Sequence, residues 1–338
     1  MNNPDLPTSP ADVPLVELWR GGQLESLHRG HAVIWGPGGI EHSWGDPEAV
    51  IFPRSSCKMI QALPLIESGA ADAAGLTPRQ LALACASHQG SGMHVEAVTA
   101  WLDALGLAEP DLRCGSHRPK DDDEDLRLRL AHEAPCQIHN NCSGKHAGFL
   151  TWTRHAGAGP EYTEADHPLQ RAIRAATEEV TETPVLGVGI DGCSAPNFAT
   201  TVAGLARAMA AFAAADPEGD ARARAMARLT RAMATHPEMV AGEGRACTTL
   251  MRAMGGHVAI KTGAEAVFVA ILPESRRGIA LKITDGSTRA SEAAITGLLI
   301  RAGVLDARHP AVAAHLGTQR NWRGLITGAI RLAPGFAS

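Results

Sequence analysis

The sequence predicts an α+β protein: an antiparallel sheet built from strands at both chain ends and flanked by helices, with a mostly helical insertion between them. Three observations carry the prediction. β-Branched and apolar runs cluster near the N-terminus and again near the C-terminus. Ala-rich or 3.6-periodic segments fill the middle. No repeat or long linker divides the chain, so the expected partition is a flexible N-terminus over 1–14, a sheet part over 15–56 and 256–338, and a mostly helical part over 57–255, all one unit.

The elements follow in order. Leu15 to Trp19 and Leu24 to Trp35 read as strands broken by Gly21-Gly22 in the manner of a hairpin turn. Thr77-Pro78-Arg79-Gln80 supplies a cap, a first-turn proline and a Gln three residues on, which opens a helix. Val95, Val98, Trp101, Leu102 and Leu105 share one face of a helix over 93–105, with Gly106 as its stop. His167-Pro168 opens another helix to about Val180, and Thr200 to Ala214 and Ala221 to Ala234 are Ala-rich helical stretches. Strands return at Val258 to Lys261, Ala266 to Leu272 and Ile279 to Thr284.

Composition excludes several classes. The 338 residues are 45% hydrophobic with mixed charge, which is enough to bury a core and too apolar for disorder. Lys and Arg number 31 against 36 Asp and Glu, a net charge of −5, and no basic run appears, so a nucleic-acid partner is not expected. Nothing approaches 18 consecutive apolar residues, so no membrane span is expected. The N-terminus is acidic and Pro-rich, unlike a secretory signal, and the seven scattered cysteines look unlike a disulfide framework; both point to the cytoplasm. The acidic run Asp121 to Asp125 reads as a solvated loop or helix start rather than a metal site.

Four segments carry chemistry. Ser55 and Lys58 have Ser-x-x-Lys spacing, which puts both on one face of a helix beginning at Ser55, although an N-cap serine with a surface lysine has the same spacing. A partly desolvated lysine loses its proton readily and serves as base for a serine hydroxyl. Lys261-Thr262-Gly263 follows at a late strand, and the two motifs in this order mark serine acyl-transfer sites. The Ser-Asp-Asn element that normally stands between them is absent; Cys85 to His94 takes its place and offers Ser87 as a second hydroxyl, with His88 beside it. Asn140 to Gly148 contains Gly144-Lys145 but lacks the upstream glycine and the following hydroxyl of a P-loop. Gly189 to Pro196 carries Asp191 and Cys193. Cys142 and Cys193, with His139 and His146 close to the first, are candidate soft ligands for zinc, and buried packing is the alternative for each.

Taken together, RSSCK at 54–58, ASHQG at 86–90, NNCSGKHAGFL at 140–150, GIDGCSAPNFA at 189–199, AGEGRACT at 241–248 and IKTGAEAV at 260–267 resemble the rhizobial-type L-asparaginases, over Leu15 to about Leu325. The resemblance implies a fold similar to serine β-lactamases and penicillin-binding proteins, a homodimer, and hydrolysis of the side-chain amide of L-asparagine. It implies Ser55 as nucleophile with Lys58 its activating partner, Ser87 and Lys261 as a second Ser-Lys tandem, and Cys142, Lys145 and Cys193 as ligands of a zinc ion. Arg54, His146 and Asp191 are then substrate-binding positions, and the zinc organises the pocket they form. Glu243 and Arg245 either serve the substrate or tie down a loop, while Cys57, Cys85, Cys114, Cys136 and Cys247 pack. The competing readings are a glutaminase, which differs by one substrate methylene, a β-lactamase-like or esterase-like enzyme, and a non-catalytic zinc-binding amino-acid sensor.

Overall fold

The computed structural model describes residues 12–337; most of the N-terminal stretch expected to be flexible, residues 1–11, therefore lies outside the described residues. β1 (Val13–Arg20) begins two residues before the apolar run and turns through Gly21-Gly22 into β2 (Gln23–Gly36), followed by β3 (Gly39–Trp44). The two turn glycines have φ of 54° and 81°, a region that any Cβ makes costly. Four short strands accompany the helical region: β4 (Val50–Ile51), β5 (Val188–Ile190), β6 (Pro196–Phe198) and β7 (Thr200–Thr201), with β4 on β7 and β5 on β6. The chain then returns to the large sheet as β8 (Ala259–Thr262), β9 (Val267–Leu272), β10 (Arg277–Ile283), β11 (Gly317–Arg320) and β12 (Ile326–Leu332).

The large sheet is antiparallel, in the order β11-β12-β1-β2-β10-β9-β8, with β3 also paired to β2. The two chain ends meet at its centre, where Ile34 of β2 stands opposite Ile279 of β10. Every residue of β9, VFVAIL, is buried, which requires cover on both sheet faces. The helices Val202–Ala214 and Thr288–Arg301 both pack on β9 and β10. This is the expected α+β architecture. β3, β11 and β12 escape sequence detection because GIEHSW, GTQR and ITGAIRL are mostly exposed or half-buried and carry no apolar run.

The helices start where local chemistry directs them. Thr77 Oγ1 accepts from Gln80 N at 3.3 Å while Gln80 Oε1 accepts from Thr77 N at 3.0 Å, closing the capping box before Pro78–Ala84. Asp121 accepts from Glu124 N at 3.0 Å, so the acidic run opens the helix Asp122–Leu130, where carboxylates complement the positive helix end. Among the described residues no helix is long and apolar enough to cross a membrane.

The contact between β10 and the helix Val202–Ala214 is backbone against backbone. A Cβ on Gly278 would stand 2.2 Å from both Ala206 O and Ala210 N. Relief requires moving the helix off the sheet, so Gly278→Ala is expected to cost about 3 kcal/mol. Urea unfolding should show a lower midpoint at unchanged slope.

Candidate active site

The segment after β4 forms a 3-10 turn, Arg54–Cys57, and the α-helix starts only at Lys58. Ser56 closes the turn twice onto Pro53 O, through its N–H at 3.1 Å and its hydroxyl at 2.7 Å. Gly263 of the Lys-Thr-Gly motif lies against this turn: a Cβ there would stand 2.8 Å from Pro53 O and 3.0 Å from Ser56 N. The motif's glycine is thus a packing requirement that brings β8 beside Ser55.

Lys58 and Lys261 are each 1% exposed. Both donate to one hydroxyl, Ser87 Oγ, at 3.0 and 2.9 Å. Ser87 is held in place by backbone bonds from its own N–H to Val240 O at 2.9 Å and from the following His88 N–H to Asn141 O at 3.1 Å. Lys58 also donates to Ala86 O and, at 3.1 Å, to Cys142 Sγ, so three acceptors meet the three donors of an ammonium. Lys261 has two acceptors, Ser87 Oγ and Thr262 O at 2.7 Å, the number a neutral amine needs. Burial, reinforced by the charge on Lys58, pushes the Lys261 amine down to about 7.

Ser55 is half-buried, and its hydroxyl makes no hydrogen bond among the described residues. The side chain of Lys58 is committed to Ser87, so Ser55 and Lys58 share a turn without forming a hydrogen-bonded pair. The physical reason is the late helix start: the 3-10 turn carries Ser55 away from the α-helical register that the spacing assumed.

Beside Lys58 lies a second cluster. Cys142 stands at the start of the helix Ser143–His155, held by Cys142 N donating to Asn140 Oδ1 at 2.8 Å. Its sulfur neighbours that of Cys193, which accepts from Lys145 Nζ at 3.1 Å. The neighbouring Cys142, followed by the Lys145 charge, holds the Cys193 sulfur well below the ordinary thiol range against the opposing effect of burial. Burial opposes the Lys145 charge, and the Cys193 and Cys142 sulfurs outweigh it, raising the amine above its usual range.

His146 is fully buried, and burial pushes its imidazole down to about 4. Tyr162 Oη accepts from Arg113 N at 2.7 Å, so its hydroxyl proton goes to His146 Nδ1, 2.9 Å away. That assigns the ring proton to Nε2, which is buried without a partner, with Cys193 the neighbouring sulfur that acts on the ring.

Two sulfurs and one amine nitrogen therefore converge, with a ring N–H left over beside them. This donor set fits zinc, which takes sulfur and nitrogen ligands, and the orphaned Nε2–H suits a hydrogen bond to a metal-bound thiolate. Lys145 must shed its proton to become a ligand. Among the described residues no group of three or more His, Cys, Asp and Glu is placed to hold a metal.

Arg54 completes the rim. It adopts φ 53°, a strained conformation for a non-glycine residue, and its guanidinium grips Asp191 Oδ1 at 2.8 and 3.2 Å. Asp191 in turn accepts from Gly192 N at 2.7 Å, which ties the turn bearing Cys193 to the turn bearing Ser55. A cavity of about 420 Å³ opens here, lined by Phe52, Arg54, Ile190, Asn197, Glu265 and Lys282 among others. A larger one of about 540 Å³ contains none of the site residues, and charged side chains on its wall, such as Arg228 and Asp72, are already paired with one another. Glu243 pairs with Arg252 at 2.6 Å on the surface, which fits the loop-tying alternative for that residue.

Sequence reasoning missed Tyr162, Asn197, Glu265 and Lys282. Tyr162 is the only tyrosine of the chain, and that rarity was the one available signal.

Comparison with known proteins adds the following. The chain resembles a crystal structure of Mglu in its native form at 13% identity and a TM-score of 0.45, covering 87% of this chain and 69% of that one. A β-lactamase from Mycobacterium bovis matches at 14% identity and a TM-score of 0.37, over 82% of this chain and 95% of the other. A D-alanine carboxypeptidase from Burkholderia cenocepacia matches at 12% identity and 0.38, over 79% and 91%. No curated protein sequence matches. The L-asparaginase II family profile, in contrast, matches residues 16–332, which spans every site residue described above, and the chain belongs to the L-asparaginase II family.

Proposed function

We propose that the protein is an L-asparaginase, hydrolysing the side-chain amide of L-asparagine to L-aspartate and ammonia through an acyl-enzyme on Ser55. The observation that carries this is the hydroxyl of Ser87 shared by two buried lysines, one of them near neutrality at physiological pH, next to an unpartnered serine. Ser55 attacks the amide carbon, and its proton enters the Lys58–Ser87–Lys261 network, with Lys261 as the group able to hold it. The network returns the proton to the departing nitrogen as the C–N bond breaks, and ammonia leaves. Water, activated in the same way, then cleaves the aspartyl ester.

Zinc would be held by Cys142, Cys193 and Lys145, and would supply a fixed positive charge that secures the two turns forming the pocket wall. Arg54, paired with Asp191, faces the substrate's carboxylate. His146, with its unpartnered Nε2–H beside Cys193, would donate to that sulfur once it is a metal-bound thiolate, and so acts on the pocket from behind. We place the enzyme in the cytoplasm as a homodimer.

Ammonia release from L-asparagine tests the proposal, and Ser55→Ala should lower kcat by at least about 10³-fold. Activity should rise with pH through about 7, as Lys261 loses its proton, with Lys58, Arg245, Cys142 and Cys247 as the titratable and charged groups acting on it. Lys261→Met should abolish that rise together with most of kcat. Metal analysis should find zinc in the purified protein and none in Cys193→Ser. Asparagine turnover undiminished in Ser55→Ala would refute the mechanism.

A further inference from the structure

The cavity beside Arg54 holds groups that the reaction above leaves unused. Directly after the Lys-Thr-Gly motif, Glu265 and Ala266 adopt φ of 56° and 57°, left-handed conformations that glycine or asparagine takes at lower cost. The side chain placed there by this strain is a carboxylate lining the cavity. It makes no hydrogen bond or ion pair among the described residues. Gly286 leaves room for it, since a Cβ there would stand 2.9 Å from Glu265 Oε2. Lys282 donates to the backbone carbonyl of Glu265 and holds the turn, leaving the carboxylate itself unclaimed.

A second group points the same way. Asn197 lines the same cavity, is 3% exposed, and its Oδ1 is buried without a partner. A buried acceptor left unmatched is costly, and a ligand that donates to it recovers the loss. The cavity thus presents two cations, Arg54, part of whose guanidinium is held by Asp191, and Lys282, together with an unpaired carboxylate and an orphaned carbonyl oxygen. Glu265 lies close enough to act electrostatically on both cations. That is the charge pattern complementary to a zwitterion.

We propose that Glu265 and Asn197 form the ammonium half of an α-amino-acid site, with Glu265 a specificity-determining residue that reads the substrate's α-ammonium group. The identity of the substrate rests on the asparaginase reading. The cavity's two cations then face the α-carboxylate, and the side-chain amide extends toward Ser55.

The test compares L-asparagine with succinamate, which keeps the amide and carboxylate and replaces the ammonium by hydrogen. Glu265→Gln should raise KM for asparagine about 10- to 100-fold, the range for a lost hydrogen bond to a charged group, with kcat within about threefold. Its kcat/KM for succinamate should equal that of the unaltered enzyme. Glu265→Asp should restore part of the asparagine KM. Equal losses on both substrates, or an unchanged asparagine KM, would overturn the proposal. Should the unaltered protein release no ammonia from asparagine, the asparaginase reading falls and calorimetry with L-aspartate decides this one: binding lost in Glu265→Gln supports the ammonium site, and equal binding overturns it.

Discussion

The site is organised by one shared acceptor. Two lysines, buried almost completely, reach the same serine hydroxyl from different parts of the chain: Lys58 from the start of a helix near the N-terminal strands, Lys261 from β8 at the return of the chain to the sheet. Burying an unpaired ammonium is prohibitively costly, and two adjacent charges add repulsion. The structure answers with three acceptors around Lys58 and a Lys261 amine pushed down to about 7. Ser87 therefore joins the sheet part, through Lys261, to the helical part that holds Lys58 and its three acceptors.

The same constraint reaches the thiol cluster. One of the acceptors of Lys58 is Cys142 Sγ, and Cys142 neighbours Cys193, whose turn is anchored through Asp191 to Arg54 beside Ser55. The path from the Ser55 turn to lysines to sulfurs and back to the Ser55 turn is a closed ring of contacts. A change in the state of the two sulfurs, such as metal binding, thus bears on Lys58 directly, while Ser55 stands free of the ring with its hydroxyl uncommitted.

Much of this was legible in the sequence, and the limits have physical causes. The strands at both ends up to β10 are rich in apolar and β-branched residues, so most of the sheet could be read; β3 and β11 are polar edge strands, and β12, ITGAIRL, is a mixed one, and these could not. Ser87, Lys58 and Lys261 stood out as motif residues, but the direction of the Lys58 side chain depends on where the helix starts, and a 3-10 turn of four residues leaves no periodic trace. Tyr162 acts through a tertiary contact with His146 across 16 positions, between featureless neighbours. Glu265 sits inside the IKTGAEAV segment, yet its importance lies in a left-handed φ that the residue type argues against.

The central claim is that Ser55 takes the acyl group while Ser87 serves the two lysines. Rapid-quench peptide mass spectrometry during turnover of L-asparagine tests it most directly. An aspartyl adduct on the peptide bearing Ser55, absent in Ser55→Ala and formed more slowly in Lys261→Met, is the result this account predicts. An adduct on Ser87, with Ser55 unmodified, would contradict it.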